Sequence, residues 1–246
     1  MNRTVETVEN RNESKGWFGR KSRGSSEGNG KVPAKPLKRK STSELDTLLW
    51  RLRARADFHP GHAFVVGLTS LCRKSGVSTT VANLAVRASD HNMGPVLLID
   101  GNIGAPRVHR IFRCKGKVGI TDVLTGSSSP SEALQKTRVD GLDILPLGAS
   151  GRLDGSRILP QNYAELITWA RQHYQLVFVD LPAVDELRHS LMLARLTDTT
   201  LLAVRSEAVH RREAQDAVER LKADGVNLGG CLLTRKRIYT PRFLRW

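Results

Sequence analysis

Six short apolar runs, separated by segments of helical character, set the strongest limit on how this chain can fold. From Ala63 onward the runs are FVVGL, VLLID, LDILPL, LVFVD, TTLLAV and LGGCLL. Fully apolar strands with helices between them are typical of parallel strands that are covered on both faces. The sequence therefore predicts an α/β fold with a doubly wound, mainly parallel sheet and helices on both faces. The predicted helices span residues 77–88, 161–173, 186–195 and 211–223.

The two ends of the chain differ in composition from this central part. Residues 1–40 carry 11 Lys and Arg against 4 Asp and Glu and are rich in Gly, Ser and Asn. We expect them to form a disordered basic segment, because they bury too little apolar surface to fold. A helix is expected up to about residue 56, at the start of a single domain over residues 41–234. Residues 235–246 form a basic and aromatic tail with five Lys and Arg and no acidic residue.

The segment 64–85, FVVGLTSLCRKSGVSTTVANLA, has the layout of a phosphate-binding loop between a strand and a helix. In the pattern G-x-x-x-x-G-K-S/T, backbone N–H groups surround phosphates, the lysine reaches the terminal phosphates, and the hydroxyl binds Mg²⁺. Gly76, Ser78 and Thr79 fit this pattern. Leu71 and Val77 occupy the positions of the first glycine and the lysine. The segment predicts a P-loop NTPase-like site that lacks one of its main positive charges.

Carboxylates end two other predicted strands. Asp100 is the last residue of VLLID, and Asp180 is the last residue of LVFVD. Ligands of open α/β sheets bind outside the carboxyl ends of the strands, where both side chains and the loop are expected. Because Mg²⁺ takes oxygen ligands in near-octahedral geometry, this combination predicts metal-nucleotide chemistry at one edge of the sheet.

The order and spacing of these segments resemble the bacterial tyrosine kinase family, cytosolic ATPases of capsule and exopolysaccharide export within the Min/Par-type deviant P-loop ATPases. The resemblance covers residues 43–244. Its most specific part is the LLID strand, a turn of small residues, and P-x-x-H-x-x-F at 106–112. The resemblance implies the P-loop NTPase fold, with ATP and Mg²⁺ as ligands. Further matching segments are TSLCRKSGVSTTVANLA, VGITDVLTG, LDILPLG, LVFVDLPAV and TTLLAVR.

The resemblance also implies roles for single residues. Asp100 matches the first carboxylate of the family's D-x-D motif, which orients Mg²⁺ or activates the acceptor, and Asn102 stands in place of the second. Asp180 matches the Walker B aspartate, so the implied metal ligands are Ser78, Asp100 and Asp180. Thr234 and Arg235 fall where the family has an Asn-Arg pair near the adenine. The implied phosphate-binding residues are Ser75, Gly76, Val77, Ser78, Thr79 and Thr80.

Two departures from the family pattern point to weakened catalysis. Val77 removes a charge and a hydrogen-bond donor, and Asn102 keeps an oxygen but loses a carboxylate that could act as a base. Arg73 and Lys74 lie just after the position of the deviant group's extra lysine, which is Cys72 here. Either side chain is a candidate for phosphate contact, and an exposed loop charge is an equal alternative.

Three functions remain open at this point. The leading hypothesis is a kinase-like regulator of polysaccharide export, either nucleotide-sensing or scaffolding. The enzyme alternative is an active autokinase or ATPase that uses Arg73 or Lys74. The third is a Min/Par-type positioning ATPase, which the P-x-x-H-x-x-F run disfavours. A multisite autokinase is not expected, because Tyr239 is the only tyrosine in the tail.

Expected partners and location follow from the resemblance and from the charge distribution. The resemblance implies a membrane-embedded polysaccharide co-polymerase as adaptor, and self-association. Most of the formal charge of +15 lies in the two ends of the chain, and basic ends of this kind bind an anionic membrane surface or an acidic partner, or serve only to solubilise the chain. Because little of the charge lies on the folded part, nucleic acid is not an expected partner. Three cysteines without a C-x-x-C pair indicate a reducing compartment and no zinc site. We expect a cytoplasmic protein at the inner face of the cell membrane.

Overall fold

A computed structural model describes residues 42–56, 62–114, 117–148, 158–206 and 210–234. The predicted basic segment at 1–40 and the tail at 235–246 lie outside the described residues. A seven-stranded sheet, in the order β3-β4-β2-β5-β1-β6-β7, forms the centre of the domain. All neighbouring strands pair in parallel except β3 and β4, which are antiparallel. The strands are β1 (Phe64–Ser70), β2 (Val96–Asp100), β3 (Gln135–Lys136), β4 (Leu142–Leu145), β5 (Leu176–Ala183), β6 (Thr199–Arg205) and β7 (Leu228–Thr234).

Helices cover both faces of this sheet, which confirms the predicted doubly wound α/β fold. The strands present alternate side chains to two separate apolar clusters. Leu97 and Ile99 of β2 belong to one cluster, and Val96 and Leu98 belong to the other. The helices are α1 (Thr42–Arg55), α2 (Val77–Asp90), α3 (Val108–Ile111), α4 (Ile120–Leu124), α5 (Pro130–Ala133), α6 (Pro160–His173), α7 (Leu191–Arg195) and α8 (Arg211–Ala223).

One predicted helix is divided in two. Residues 186–195 were expected to form a continuous helix, but the chain makes a 3₁₀ helix over Val184–His189 and then α7. The change occurs at buried Ser190, whose hydroxyl donates to the carbonyl oxygen of Gly101 at 2.6 Å. This bond fixes the segment after β5 against the turn after β2, where the candidate site lies.

Helix α1 packs on α2, the helix that follows the phosphate-binding loop. Leu45, Leu49 and Leu52 of α1 are buried in the same apolar cluster as the inner face of α2. The Asp46 carboxylate accepts hydrogen bonds from the Arg87 guanidinium of α2. None of the helices in the described ranges is both long and apolar enough to cross a membrane.

Candidate functional site

The loop between β1 and α2 has the backbone of an anion-binding turn. Gly76 precedes α2 with a left-handed φ of 90°, and Lys74 also has a positive φ, of 64°. The Ser75 hydroxyl donates to the Cys72 carbonyl oxygen at 2.7 Å, which closes the loop on itself. No side chain of the described residues caps the amino end of α2. The first N–H groups of the helix therefore remain available for an anion.

Val77 fills the lysine position of the loop with an apolar side chain. It is 8% exposed and belongs to the apolar cluster beneath α2. Ser78, one residue later, is also buried. The loop thus retains its backbone and its hydroxyl, while the charge that the P-loop pattern places at its centre is missing.

A cavity of about 450 Å³ opens over this loop. Most of the predicted phosphate-binding residues line it, together with Asn102. Thr80 lies one position further along α2 and is not among the lining residues. The cavity is lined by Ser70, Arg73, Lys74, Ser75, Gly76, Val77, Ser78, Thr79, Asn102, Ala105, Arg107, Leu181, Ala183, Glu186 and Arg205.

Asp100 and Asp180 lie side by side at the same edge of the sheet. They are register partners on the neighbouring strands β2 and β5, and neither is exposed to solvent. One oxygen of Asp100, Oδ2, accepts from the backbone N–H groups of Arg107 at 3.2 Å and Val108 at 3.0 Å. Its Oδ1 and both carboxylate oxygens of Asp180 are buried without a hydrogen-bond partner among the described residues.

Both aspartates hold protons more tightly than usual. Burial raises the pKa of Asp100 to about 7, against the effect of its backbone hydrogen bonds. Burial also raises the pKa of Asp180 well above its usual value, and the charge of Asp100 adds to this shift. The Ser78 hydroxyl and the charge of Arg107 act in the opposite direction and lower the pKa of Asp180. The hydroxyl nevertheless makes no hydrogen bond of normal geometry with the carboxylate.

These orphaned oxygens fit a magnesium ion. Three buried carboxylate oxygens without partners, next to the Ser78 hydroxyl, are the hard oxygen ligands that Mg²⁺ takes in proteins. Within the described ranges no group of three His, Cys, Asp or Glu side chains is placed to hold a metal by itself. An ion here would take its remaining ligands from phosphates and water, as is usual for Mg²⁺.

Asn102 and Arg73 both have partners within the chain. Asn102 Oδ1 accepts from the N–H of Ala105 at 3.1 Å, so this amide stabilises the turn after β2. The Arg73 side chain forms an ion pair with Glu186, which comes from the 3₁₀ helix after β5. Lys74 is exposed at the tip of the loop.

Of the two predicted adenine contacts, Thr234 does not line this cavity. Thr234 ends β7 at the edge of the sheet and is buried. Its hydroxyl donates to the Val204 carbonyl oxygen at 3.4 Å. Arg235 lies outside the described residues.

Sequence reasoning missed Arg107, Glu186 and Arg205, which all line the cavity. Arg205 is the last residue of β6, so the rule that ligands bind after strand ends pointed to it. Arg107 lies inside the P-x-x-H-x-x-F run that was used only to identify the family. The structure adds two arginines to a cavity from which the lysine is missing.

Comparison with known proteins supports the family resemblance seen in the sequence. No model of a known protein family matches the chain. The chain is 31% identical over 182 residues to the tyrosine-protein kinase YwqD of Bacillus subtilis, and the match covers 70% of this chain and 73% of YwqD. It is 27% identical over 138 residues to a putative tyrosine-protein kinase in the cps region of Klebsiella pneumoniae, covering 56% of this chain. That match spans only 19% of the longer relative.

Solved structures agree in fold. The kinase domain of the Escherichia coli tyrosine kinase ETK superimposes with a TM-score of 0.71 at 23% identity, covering 81% of this chain and 78% of that domain. The septum site-determining protein MinD of Pyrococcus horikoshii, complexed with Mg-ADP, superimposes with a TM-score of 0.57 at 22% identity. This second match covers 70% of each chain.

Proposed function

Since this chain belongs to the family of bacterial tyrosine-protein kinases, we propose that it is a nucleotide-binding regulator of polysaccharide export with weakened phosphoryl transfer. The observation that carries the proposal is Val77, an apolar, buried side chain at the lysine position of a loop that keeps its left-handed Gly76 and the uncapped start of α2. A nucleotide can still bind to the backbone of such a turn, because the N–H groups do not depend on the side chain.

The missing lysine affects turnover more than binding. A donor aimed at the charge that develops in the transition state typically contributes about 3–4 kcal/mol, or a factor of 10²–10³ in rate. Asn102 weakens the chemistry further, since an amide does not take up a proton as a carboxylate does. We therefore expect nucleotide binding with slow or absent hydrolysis.

Magnesium and ATP have defined places in this proposal. Ser78, Asp100 and Asp180 would hold Mg²⁺, and the turn with the start of α2 would hold the phosphates. A bound ion would supply positive charge against the negative charge of the phosphates. The remaining groups bind and orient the nucleotide.

The burial of the described tyrosines also favours a regulator over an autokinase. Within the described ranges, Tyr163 and Tyr174 are both buried, and the Tyr174 hydroxyl donates to the Asp143 carboxylate at 2.8 Å. Burial raises the pKa of the Tyr163 hydroxyl to about 12. Neither side chain is a ready phosphate acceptor, and Tyr239 lies outside the described residues.

Phosphate release and autophosphorylation, measured on the wild type and on Val77→Lys, test the proposal. We expect the wild type to bind ATP with little turnover, and the lysine variant to gain about tenfold or more in rate. Val77→Met is the matched control, because it fills the position without adding charge. Wild-type turnover typical of a kinase, about 1–100 s⁻¹, would contradict the proposal, and its loss in Arg73→Gln or Lys74→Gln would favour the rerouted autokinase.

For partners, we propose a membrane-embedded polysaccharide co-polymerase and further copies of this chain, at the inner face of the membrane. The family resemblance and the basic ends of the chain support this assignment. Co-purification with a polysaccharide co-polymerase from the same cells, and binding to anionic vesicles, are the matching measurements. Tight DNA binding with a steep salt dependence would instead favour a positioning ATPase.

A further inference from the structure

We propose that Arg107 and Arg205 together bind the phosphate chain of a nucleoside diphosphate or triphosphate, in place of the lysine that Val77 replaces. This inference rests on the proposed function, since it names the groups that would hold the ligand of that site. Both arginines line the cavity over the phosphate-binding turn.

Arg107 is fixed at the cavity by its backbone. Its N–H donates to the buried Oδ2 of Asp100 at 3.2 Å, which anchors the turn between β2 and α3. The side chain is exposed and borders the cavity. Its charge acts to lower the pKa of Asp180, against the effect of burial. Arg107 thus brings a positive charge to the lining of the cavity.

Arg205 reaches the cavity from another strand. It is the last residue of β6, which pairs with β1 on one side and with β7 on the other. Its backbone is held in register opposite Thr234 of β7. The side chain is half-buried, and no ion pair is formed by it within the described ranges. A positive charge in a cavity without a carboxylate partner is a suitable ligand for an anion.

The other basic residues of the cavity are less well placed for this role. The Arg73 guanidinium is paired with Glu186, so that its charge is already compensated. Lys74 is a flexible side chain at an exposed loop tip. Arginine has a further advantage over lysine, because its planar fork can donate two parallel hydrogen bonds to one phosphate group.

If these two arginines bind the phosphate chain, the affinity for a nucleotide should depend on its number of phosphates. Binding should strengthen from AMP to ADP to ATP, since each added phosphate brings charge to the arginines. Inorganic tripolyphosphate should compete with the nucleotide, because the contacts involve the phosphate chain and not the base. Affinity should fall with added salt.

The test is equilibrium binding of a fluorescent ATP analogue to the full chain, with and without Mg²⁺. Arg107→Gln and Arg205→Gln should each weaken binding about tenfold or more, as expected for the loss of a charged hydrogen bond. Arg107→Lys and Arg205→Lys should recover part of the affinity. Arg110→Gln is the matched control: Arg110 is exposed on α3, near Arg107, but does not line the cavity, and its replacement should change affinity less than twofold.

The outcomes separate this inference from the proposed function. Wild-type binding that is unchanged in the double variant Arg107→Gln/Arg205→Gln would overturn the inference and leave the proposed function standing. Absence of saturable binding to the wild type at millimolar ATP would overturn both. Thermal unfolding of each variant checks its fold, which we expect to be intact because Arg107 is exposed and Arg205 is only half-buried.

Discussion

Two carboxylates of this domain, Asp198 and Asp180, have opposite surroundings. Asp198, just before β6, accepts from both terminal nitrogens of Arg171 at 2.7 and 2.8 Å and from the N–H of Val65 at 2.7 Å. Asp180 lies toward the carboxyl end of β5 and is fully buried. Neither of its oxygens has a hydrogen-bond partner among the described residues.

The difference separates a carboxylate whose hydrogen bonds are satisfied within the chain from one whose oxygens have no partner among the described residues. A paired carboxylate contributes to folding because its charge and its hydrogen bonds are satisfied within the chain. A buried carboxylate without partners lowers the stability of the folded state unless it is protonated or binds a cation. We infer that the edge of the sheet at Asp100 and Asp180 is arranged for a cation from outside the chain.

Removing the ion-pair partner of Asp198 should have the largest effect. Arg171→Met keeps the aliphatic stem but removes the guanidinium that donates to Asp198 and to the carbonyl oxygen of Ala63, which leaves Asp198 with the Val65 N–H as its donor. The pair is only partly exposed, and we expect the free energy of unfolding to fall by about 2–4 kcal/mol. Urea denaturation measures this change, and a loss below 1 kcal/mol would show that water replaces the guanidinium at this end.

Asp180→Asn should instead raise the free energy of unfolding, in buffer without magnesium or nucleotide. The raised pKa means that the folded protein keeps a proton which the unfolded chain releases above about pH 4. Relative to the variant, the wild type is therefore most stable below about pH 4, and it loses stability as the pH rises above this value. At pH 7 we expect the variant to be more stable by roughly 1–2 kcal/mol.

Denaturation of wild type and Asp180→Asn at several pH values between 4 and 7 provides the check. Comparing the two proteins at each pH cancels the titration of carboxylates that they share. A variant that is less stable than the wild type at pH 7, or a difference that does not vary with pH, would contradict the assignment of Asp180 as an uncompensated carboxylate.

The smallest effect is expected at an exposed ion pair. Lys136 donates to the Asp143 carboxylate at 2.8 Å, but the lysine side chain is 72% exposed. Asp143 also accepts from the Tyr174 hydroxyl, so Lys136→Ala leaves it with a partner. We expect a change below about 0.5 kcal/mol in the same urea experiment, and a larger loss would mean that Lys136 packs against the sheet through its stem.

Long regular elements of this fold were predictable from the sequence. Helix α8 has the bounds that its periodicity predicted, and α2 begins at Val77 as predicted. Short elements were missed, because the four or five residues of α3, α4 and α5 are too few to show a period. The break at Ser190 depends on a hydrogen bond to Gly101, which is distant in sequence.

In the candidate site, too, the features set by local sequence patterns were predictable, and the contacts between residues distant in sequence were not. Strand ends and the glycine pattern predicted that the loop, Asp100 and Asp180 would meet, because parallel strands end at one edge. The ion pair of Arg73 with Glu186 joins residues 113 positions apart. Such a contact depends on side-chain direction, and a sequence pattern does not carry that information.

Gly76 shows that the geometry of the loop and its charge have separate origins. A methyl group at Gly76 would meet no atom within 4 Å, yet the φ of 90° strains any other residue there. The neighbouring side chain at 77 does not set this φ. The residue at 77 can therefore change, and with it the charge of the loop, while the path of the backbone persists.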